Sequence, residues 1–451
     1  MIPAVASTER AMHGRVWRIA GPIVLSNMTV PLLGAVDTAV VGRLPDPANI
    51  GAVAVGAVIF NFLYWGLGFL RMGTSGLVAQ AVGAGDRAAL REWLGRALLL
   101  AAALSLLLLL LQWPAREIGF SLMQASPQVE SLGRGYFDIR IWAAPATLAN
   151  YVVLGWLLAV QRAKATFALQ ILMNGINIAL DLLFVLACGW GVAGVAVATV
   201  IAEYTAAAVG LAYIFGLLRG GGWRFAALLD RAKLLAMARI NADIFIRTVC
   251  LILAFAYFVS AGGGLGDVVL AANAILLNLQ SLMAYGLDGF AYAAEVLVGS
   301  AVGARDRRAL RLAVRVSTLW AAGLSLVVAA LYGAFGDAIV ALFTTIEAVR
   351  AEAGRYLAWI ALSPLLSVWS FQLDGIFIGA TRTAEMRNGM ILALAVYLIG
   401  ATALVPAMGN HGLWLAFLIW MGARTLPLAL WYPCILASIP PEPVPPHGKP
   451  R

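Results

Sequence analysis

Residues 81–91 read AVGAGDRAALR and residues 301–311 read AVGARDRRALR, nine of eleven positions identical at a spacing of 220. The same spacing pairs Gly66 with Gly286, Gly155 with Gly375 and Arg162 with Arg382. Further along, GVAGVAVA (191–198) answers GNHGLWLA (409–416) at a spacing of 218. Arg-rich segments often look alike, but this many identities in register mark a duplication, so the chain consists of two related halves.

The halves are apolar. Of 451 residues, 62% are hydrophobic and only 12% charged, roughly half the charge of a soluble domain. A surface facing lipid needs no charge, whereas one facing water does. Twelve runs are long enough to cross a bilayer, which takes about 20 residues each. In the first half they lie near 17–41, 50–72, 94–113, 135–160, 165–188 and 191–215. In the second they lie near 239–261, 267–292, 313–335, 355–380, 388–408 and 411–435. The expected fold is an all-α polytopic membrane protein: twelve transmembrane helices in two six-helix lobes related by pseudo-two-fold symmetry. Its parts are an N-terminal tail (1–16), a first lobe (17–215), a linker (216–238), a second lobe (239–435) and a disordered, Pro-rich tail (436–451). The first apolar run is too long for a cleaved signal and reads as a retained helix.

The net charge of +9 does not point to nucleic acid, because the basic residues cluster in alternate loops. Arg10, Arg15 and Arg18 lie on one side with Arg87, Arg91 and Arg96, then Arg162 and Lys164. The same side holds Arg219, Arg224, Arg231 and Lys233, the run Arg305–Arg315, and finally Arg382 and Arg387. The opposite loops are poor in Lys and Arg. This bias places the basic side, and with it both termini, in the cytoplasm, so the expected location is the inner cell membrane. Six spans per half give the repeats the same orientation, which suits alternating access by one lobe rocking against the other.

A carboxylate inside the hydrocarbon needs a reason. Asp37 lies late in the first span, in LSNMTVPLLGAVDTAVVGR (25–43), six residues after Pro31, which interrupts the helix ladder. In NGINIALD (174–181), Asn177 and Asp181 share one helical face. Thr199 reaches the same outer-half depth on the sixth span, with Glu203 one turn further on. These groups form the candidate proton or cation site; the competing reading is a static interhelical bond such as Asp181 to Thr199. Asp374, in SFQLDGIFIGATR (370–382), is an additional polar candidate, or a helix-end charge that snorkels. Asp243 and Arg247 read as a local pair. Arg71, Asp288 and Glu295 read as interfacial charges, and Tyr136, Asp138 and Arg140 as an outer rim. The three histidines fall outside helix interiors, and Cys188, Cys250 and Cys434 have no metal or disulfide spacing. GAGD (83–86) lacks the GK[ST] of a phosphate loop, so a pump of this design draws on an ion gradient. No metal is expected beyond a possible sodium ion at the coupling site.

The motifs IAGPIVLSN (19–27), VDTAVVGRL (36–44), GTSGLVAQAVGAGD (73–86) and AEVLVGSAVGARD (294–306) resemble those of the multidrug and toxic compound extrusion family. LSNMTVPLLGAVDTAVVG and NADIFIRT (241–248) are most similar to its DNA-damage-inducible protein F branch. The resemblance spans about 15–435. It implies export of drug-like, often cationic organic compounds against inward proton or sodium flow, the branch being mainly proton-coupled. The family's first-lobe cation site falls on Asp37, Asn177, Asp181 and Thr199, and Asp374 matches an Asp of the tenth helix. Arg247 stands near a carboxylate of other relatives, which puts a second-lobe cation site in doubt. The expectation is a monomeric secondary exporter without cofactor, not an enzyme, whose first helix bends at Pro31 when Asp37 is protonated. Two alternatives stay open: a lipid or lipid-linked precursor flippase, which calls for a strongly cationic cavity, and a membrane-embedded transferase, which calls for acidic or His motifs at a loop–membrane border.

The orientation is tested by single cysteines in a background lacking the native three. Gln128→Cys reacts with an impermeant maleimide in intact cells, and Arg308→Cys reacts only after permeabilisation.

Overall fold

The computed structural model describes residues 8–440 apart from Gln124, Gly221, Trp223 and Arg224. The terminal residues 1–7, Arg224 of the basic linker, and the Pro-rich segment 441–451 with His447 lie outside the described residues. In hydrocarbon every peptide group must find its partner within the protein, which leaves helices as the solution for separate apolar runs. Among the described residues, twelve helices are long and apolar enough to cross a membrane. They are α1 (Glu9–Val41), α2 (Ala48–Gly83), α3 (Arg87–Leu110), α4 (Pro127–Ala159), α5 (Ala163–Ala187) and α6 (Gly191–Leu217), then α7 (Arg231–Gly263), α8 (Asp267–Gly303), α9 (Arg307–Phe343), α10 (Glu347–Gly379), α11 (Thr383–Met408) and α12 (Asn410–Ala437). The protein is a multi-pass membrane protein.

Apolar side chains face outward as well as inward. Large aliphatic side chains such as Leu110, Leu342 and Ile399 are exposed, while Arg96, Asp181 and Glu295 are completely buried. Glu295, expected at the interface, sits well inside α8, which continues eleven residues past the apolar run. Composition stops at the first charges, but backbone bonding does not. For the same reason most of GTSGLVAQAVGAGD is helix rather than loop: α2 continues to Gly83, leaving a turn at 84–86. His13 and His411 likewise lie within the first turns of α1 and α12, their Nδ1 atoms accepting from Trp320 Nε1 at 2.9 Å and Trp359 Nε1 at 3.0 Å.

Two compact units emerge. One comprises Gly21–Val78 and Ala88–Thr248; the other comprises the chain up to Ala20, Ala79–Arg87, and the chain from Val249 onward. The divisions fall inside α1, near the end of α2, and inside α7, so these helices contribute to both.

In the first unit, the linker is fastened to the base of α3. Arg96 donates to Glu92 at 3.0 Å and to the Ala227 carbonyl, and Lys233 donates to Glu92 at 2.9 Å. A short helix, Gln112–Met123, is held to α4 by Arg134 Nη2 on Glu117 at 2.8 Å and Arg116 on Asp138 at 2.7 Å. The Arg134 and Arg116 guanidiniums hold the Glu117 carboxyl below its usual range.

The duplication is legible in backbone contacts. A Cβ built on Gly155 would overlap the Arg71 carbonyl oxygen, and one on Gly375 would overlap that of Ala291; both pairs are related by the spacing of 220. In the second unit, Gly83 meets the Ser300 carbonyl and Gly303 meets the Gln80 carbonyl, again reciprocal at that spacing. Such approaches are how helices pack without a hydrophobic drive between them. The turns repeat as well. Gly85 (φ 69°) corresponds to Arg305 (φ 54°), Gln161 (61°) to Thr381 (53°), and Gly191 (54°) to Gly409 (58°).

Two stability outcomes follow from these contacts. Gly303→Val, forced against the Gln80 carbonyl, costs about 1–3 kcal/mol, whereas Gly323→Val, with nothing within 4 Å, is near neutral. Arg305→Gly relieves a left-handed conformation that costs a side chain on the order of 1 kcal/mol, so it raises the unfolding temperature in detergent slightly.

Candidate functional site

The site lies in the first unit, where α1, α5 and α6 present polar groups to one another. On α5, Gln170 donates to Asn174 at 3.1 Å, and Asn174 donates to Thr29 of α1 at 3.0 Å; Thr29 in turn donates to the Ser26 carbonyl at 2.7 Å. One turn beyond Asn174, Asn177 donates to Thr199 of α6 at 3.3 Å, and Thr199 donates to the Val195 carbonyl at 2.9 Å. Asn177 and Asp181 are buried, with Asp181 completely so. The static bond considered for Asp181 and Thr199 is therefore made by Asn177 instead.

The Asp37 and Asp181 carboxyls lie within hydrogen-bonding reach of each other. No N–H or hydroxyl donates to Asp37 Oδ1, Asn177 Oδ1 or either Asp181 oxygen. Two ionised carboxylates have no donor to offer each other. A proton shared between them satisfies the pair, as does a small cation held by the two carboxyls with Asn177 Oδ1. A cavity of about 90 Å³ borders Asp37 and is lined by Gly34, Thr38, Val53, Ala57 and Tyr136 among others; Asn177, Asp181 and Thr199 do not line it.

Glu203 is not part of that array. It pairs with Arg140 of α4 at 2.6 Å, accepts from the Thr147 hydroxyl, and its backbone carbonyl accepts from Asn150 at 3.0 Å. The Arg140 guanidinium lies 5.4 Å from the Phe60 ring and 5.6 Å from the Tyr64 ring. Arg140 and Tyr136, expected at an outer rim, are thus buried, with the Tyr136 ring set against Gly56, where a Cβ would collide with it. Their partners lie 63 and 80 positions away in sequence, so no local pattern announced them. Only Asp138 of that trio is exposed, on Arg116.

In the second unit, Asp374 is buried six residues or less from the end of α10 and accepts from Arg424 of α12 at 2.9 Å. It does not snorkel. Arg424, a charge within an apolar run, was the available signal for this pair. The positions that answer the first-half site hold other chemistry: Tyr397 for Asn177, Ala401 for Asp181 and Phe417 for Thr199. Between the matched segments the spacing drops from 220 to 218, so the first half carries two more residues there. A π-helical turn, Leu182–Ala187, stands in that interval directly after Asp181, where the second half continues as α-helix to Met408.

Twelve apolar helices, a duplicated six-helix plan and polar groups buried between helices of one unit define a membrane transporter rather than an enzyme. The MatE family model matches twice, at residues 22–183 and 244–404, one match to each half. The chain is 41% identical over 430 residues to DNA damage-inducible protein F of Escherichia coli K12, covering 95% of this chain and 93% of that protein. It is 26% identical to a probable multidrug resistance protein NorM of Pseudomonas aeruginosa, covering 90% and 84%. An outward-facing multidrug resistance MATE family transporter superposes with a TM-score of 0.86 at 19% identity, covering 97% of this chain and 99% of that one. The chain belongs to the MatE family, the multidrug and toxic compound extrusion transporters.

The Arg140–Glu203 pair gives a direct test of the buried electrostatics. Arg140→Leu leaves Glu203 buried without its counter-charge and costs about 3–5 kcal/mol, read by denaturant unfolding in detergent. Adding Glu203→Leu restores most of the loss.

Proposed function

We propose that this chain is a secondary exporter of drug-like organic compounds, often cationic, driven by inward flow of protons. The observation that carries this reading is the mutual reach of the Asp37 and Asp181 carboxyls beside a cavity inside the first unit. Two carboxyls so placed form a site for one exchangeable proton. Asn177 and Thr199 brace it from α5 and α6, since their hydrogen bond fixes the spacing of those helices. The kinship with named multidrug resistance proteins supports an organic cargo.

A proton entering from outside is shared by the two carboxyls, which takes the pair from two negative charges to one and removes the repulsion between two ionised carboxylates. Asp37 sits on α1 beyond Pro31, which donates no hydrogen bond to the helix ladder, so α1 bends there as Asp37 and Asp181 close on the proton. The cavity narrows and cargo is expelled outward. Release of the proton to the cytoplasm completes the cycle. Coupling requires only that proton and cargo prefer opposite states. Asp374, neutralised by Arg424, is not a second coupling site in this scheme. The transporter works as a monomer in the inner membrane, with both termini in the cytoplasm.

Flux of ethidium in proteoliposomes, with pH and sodium gradients imposed separately, tests the scheme. The pH gradient drives flux and the sodium gradient does not. Asp37→Asn and Asp181→Asn each reduce flux at least tenfold, and Pro31→Ala reduces it several-fold with the protein folded. Wild-type flux in Asp37→Asn rules out the assigned pair, and flux driven by sodium alone reassigns the ion.

A further inference from the structure

The buried Arg140–Glu203 pair stands next to the proposed coupling pair. On α4, Arg140 lies one turn beyond Tyr136, which lines the cavity that borders Asp37. Tyr136 interacts with Arg140 and with both Asp37 and Asp181. On α6, Glu203 lies one turn beyond Thr199, which is bonded to Asn177 of α5. The ion pair also has a direction. Besides Arg140, Glu203 is held by Thr147 and Asn150, both further from Tyr136 along α4 than Arg140 is. The positive end therefore lies toward the cavity and the negative end away from it. In keeping with this, the Arg140 charge acts on Asp37.

Stability alone gives this ion pair no reason to exist. Replacing a buried ion pair by well-packed apolar residues is often neutral or stabilising. Here the guanidinium is also only partly engaged: Nη2 meets Glu203 at 2.6 Å, while no hydrogen bond involves Nη1. Charge supplies the reason that packing does not. Two carboxyls sharing one proton still carry one negative charge, and hydrocarbon offers nothing to offset it. An arginine keeps its charge throughout the range in which a protein is folded, so Arg140 is a fixed positive charge. The groups that face it are Glu203 from α6, Tyr64 from α2, Tyr136 and Tyr151 from α4, and Asp37 from α1. The phenols are uncharged at neutral pH, so Glu203 and the Asp37–Asp181 pair divide the field of this one cation.

We propose that Arg140 is the built-in counter-charge of the Asp37–Asp181 pair and holds that pair at one exchangeable proton. The inference rests on the coupling role given to the two carboxyls above. Arg140 is a positioning residue: it touches neither cargo nor the transferred proton and acts through the charge of the pair. Its field offsets the negative charge that remains after one proton binds, so a second proton is not needed to make the interior tolerable. Without it, the carboxyls keep their protons into more alkaline conditions, and release to the cytoplasm is the step that suffers. Glu203 has the opposite task. By sharing the guanidinium, it keeps Arg140 from closing on Asp37 and displacing the proton altogether.

Infrared difference titration of the full chain in lipid nanodiscs reads the carboxylic acid C=O stretch directly and needs no transport. Wild type shows a titrating band that is lost when Asp37→Asn and Asp181→Asn are combined. Removing both charges of the ion pair, Arg140→Leu with Glu203→Leu, moves the midpoint of that band up by about one pH unit, in a variant whose unfolding is close to wild type. Glu203→Gln leaves the whole field of Arg140 to the carboxyls and moves the midpoint down. Arg140→Lys keeps the charge and stays near wild type. An ion pair that only braces helices shifts no midpoint, so an unmoved band in the folded double-leucine variant overturns the role of Arg140. Absence from wild type of any band that depends on Asp37 and Asp181 overturns the coupling pair itself, and the proposal with it, so the two failures are distinguishable.

Discussion

Lipid offers no partner to a buried charge, so each one in this chain must be answered by another group of the protein. Most are answered by an opposite charge: Arg96 by Glu92, Arg140 by Glu203, and Asp374 by Arg424. Each of these pairs joins or braces helices and has no net charge to exchange. Asp37 and Asp181 differ, because each has another acid beside it. No N–H or hydroxyl donates to Asp37 Oδ1 or to either Asp181 oxygen, and that sets this candidate site apart from the structural ion pairs around it.

The duplication supplies the frame in which that difference sits. Glycine contacts against carbonyl oxygens recur at matched places, Gly155 on Arg71 and Gly375 on Ala291, and so do the left-handed turn residues. These fix how neighbouring helices approach and where they reverse, and neither copy can change them cheaply. Side chains pointing into the units have diverged instead. Asn177, Asp181 and Thr199 answer to Tyr397, Ala401 and Phe417. Two additional residues in the first copy coincide with a π-helical turn after Asp181, a form of helix that accumulates at functional sites.

Kinship and geometry bear on different levels. The family model matching each half and the 41% identity to DNA damage-inducible protein F fix membership in the MatE family. The arrangement of Asp37, Asn177, Asp181 and Thr199 is what turns that membership into a specific chemical scheme. It also separates Glu203 from the array, although its spacing from Thr199 had placed it on the same helical face.

The sequence by itself determined the helical class, the twelve spans and the duplication, and it singled out Asp37, Asn177, Asp181 and Thr199 as candidates. Apolar length, register identity and the cost of a carboxylate in hydrocarbon are all local properties of a chain. Helix ends, the burial of Glu295 and the pairings of Arg140 and Arg424 were decided by tertiary structure. Arg140 finds Glu203 across two helices, and Arg424 finds Asp374 fifty positions away. Helical periodicity gives the face of a residue but not which face of which helix it meets. That choice is made by backbone approach at glycines such as Gly56 and Gly155, where the absence of a Cβ lets one helix come close enough for another's side chain to become a partner.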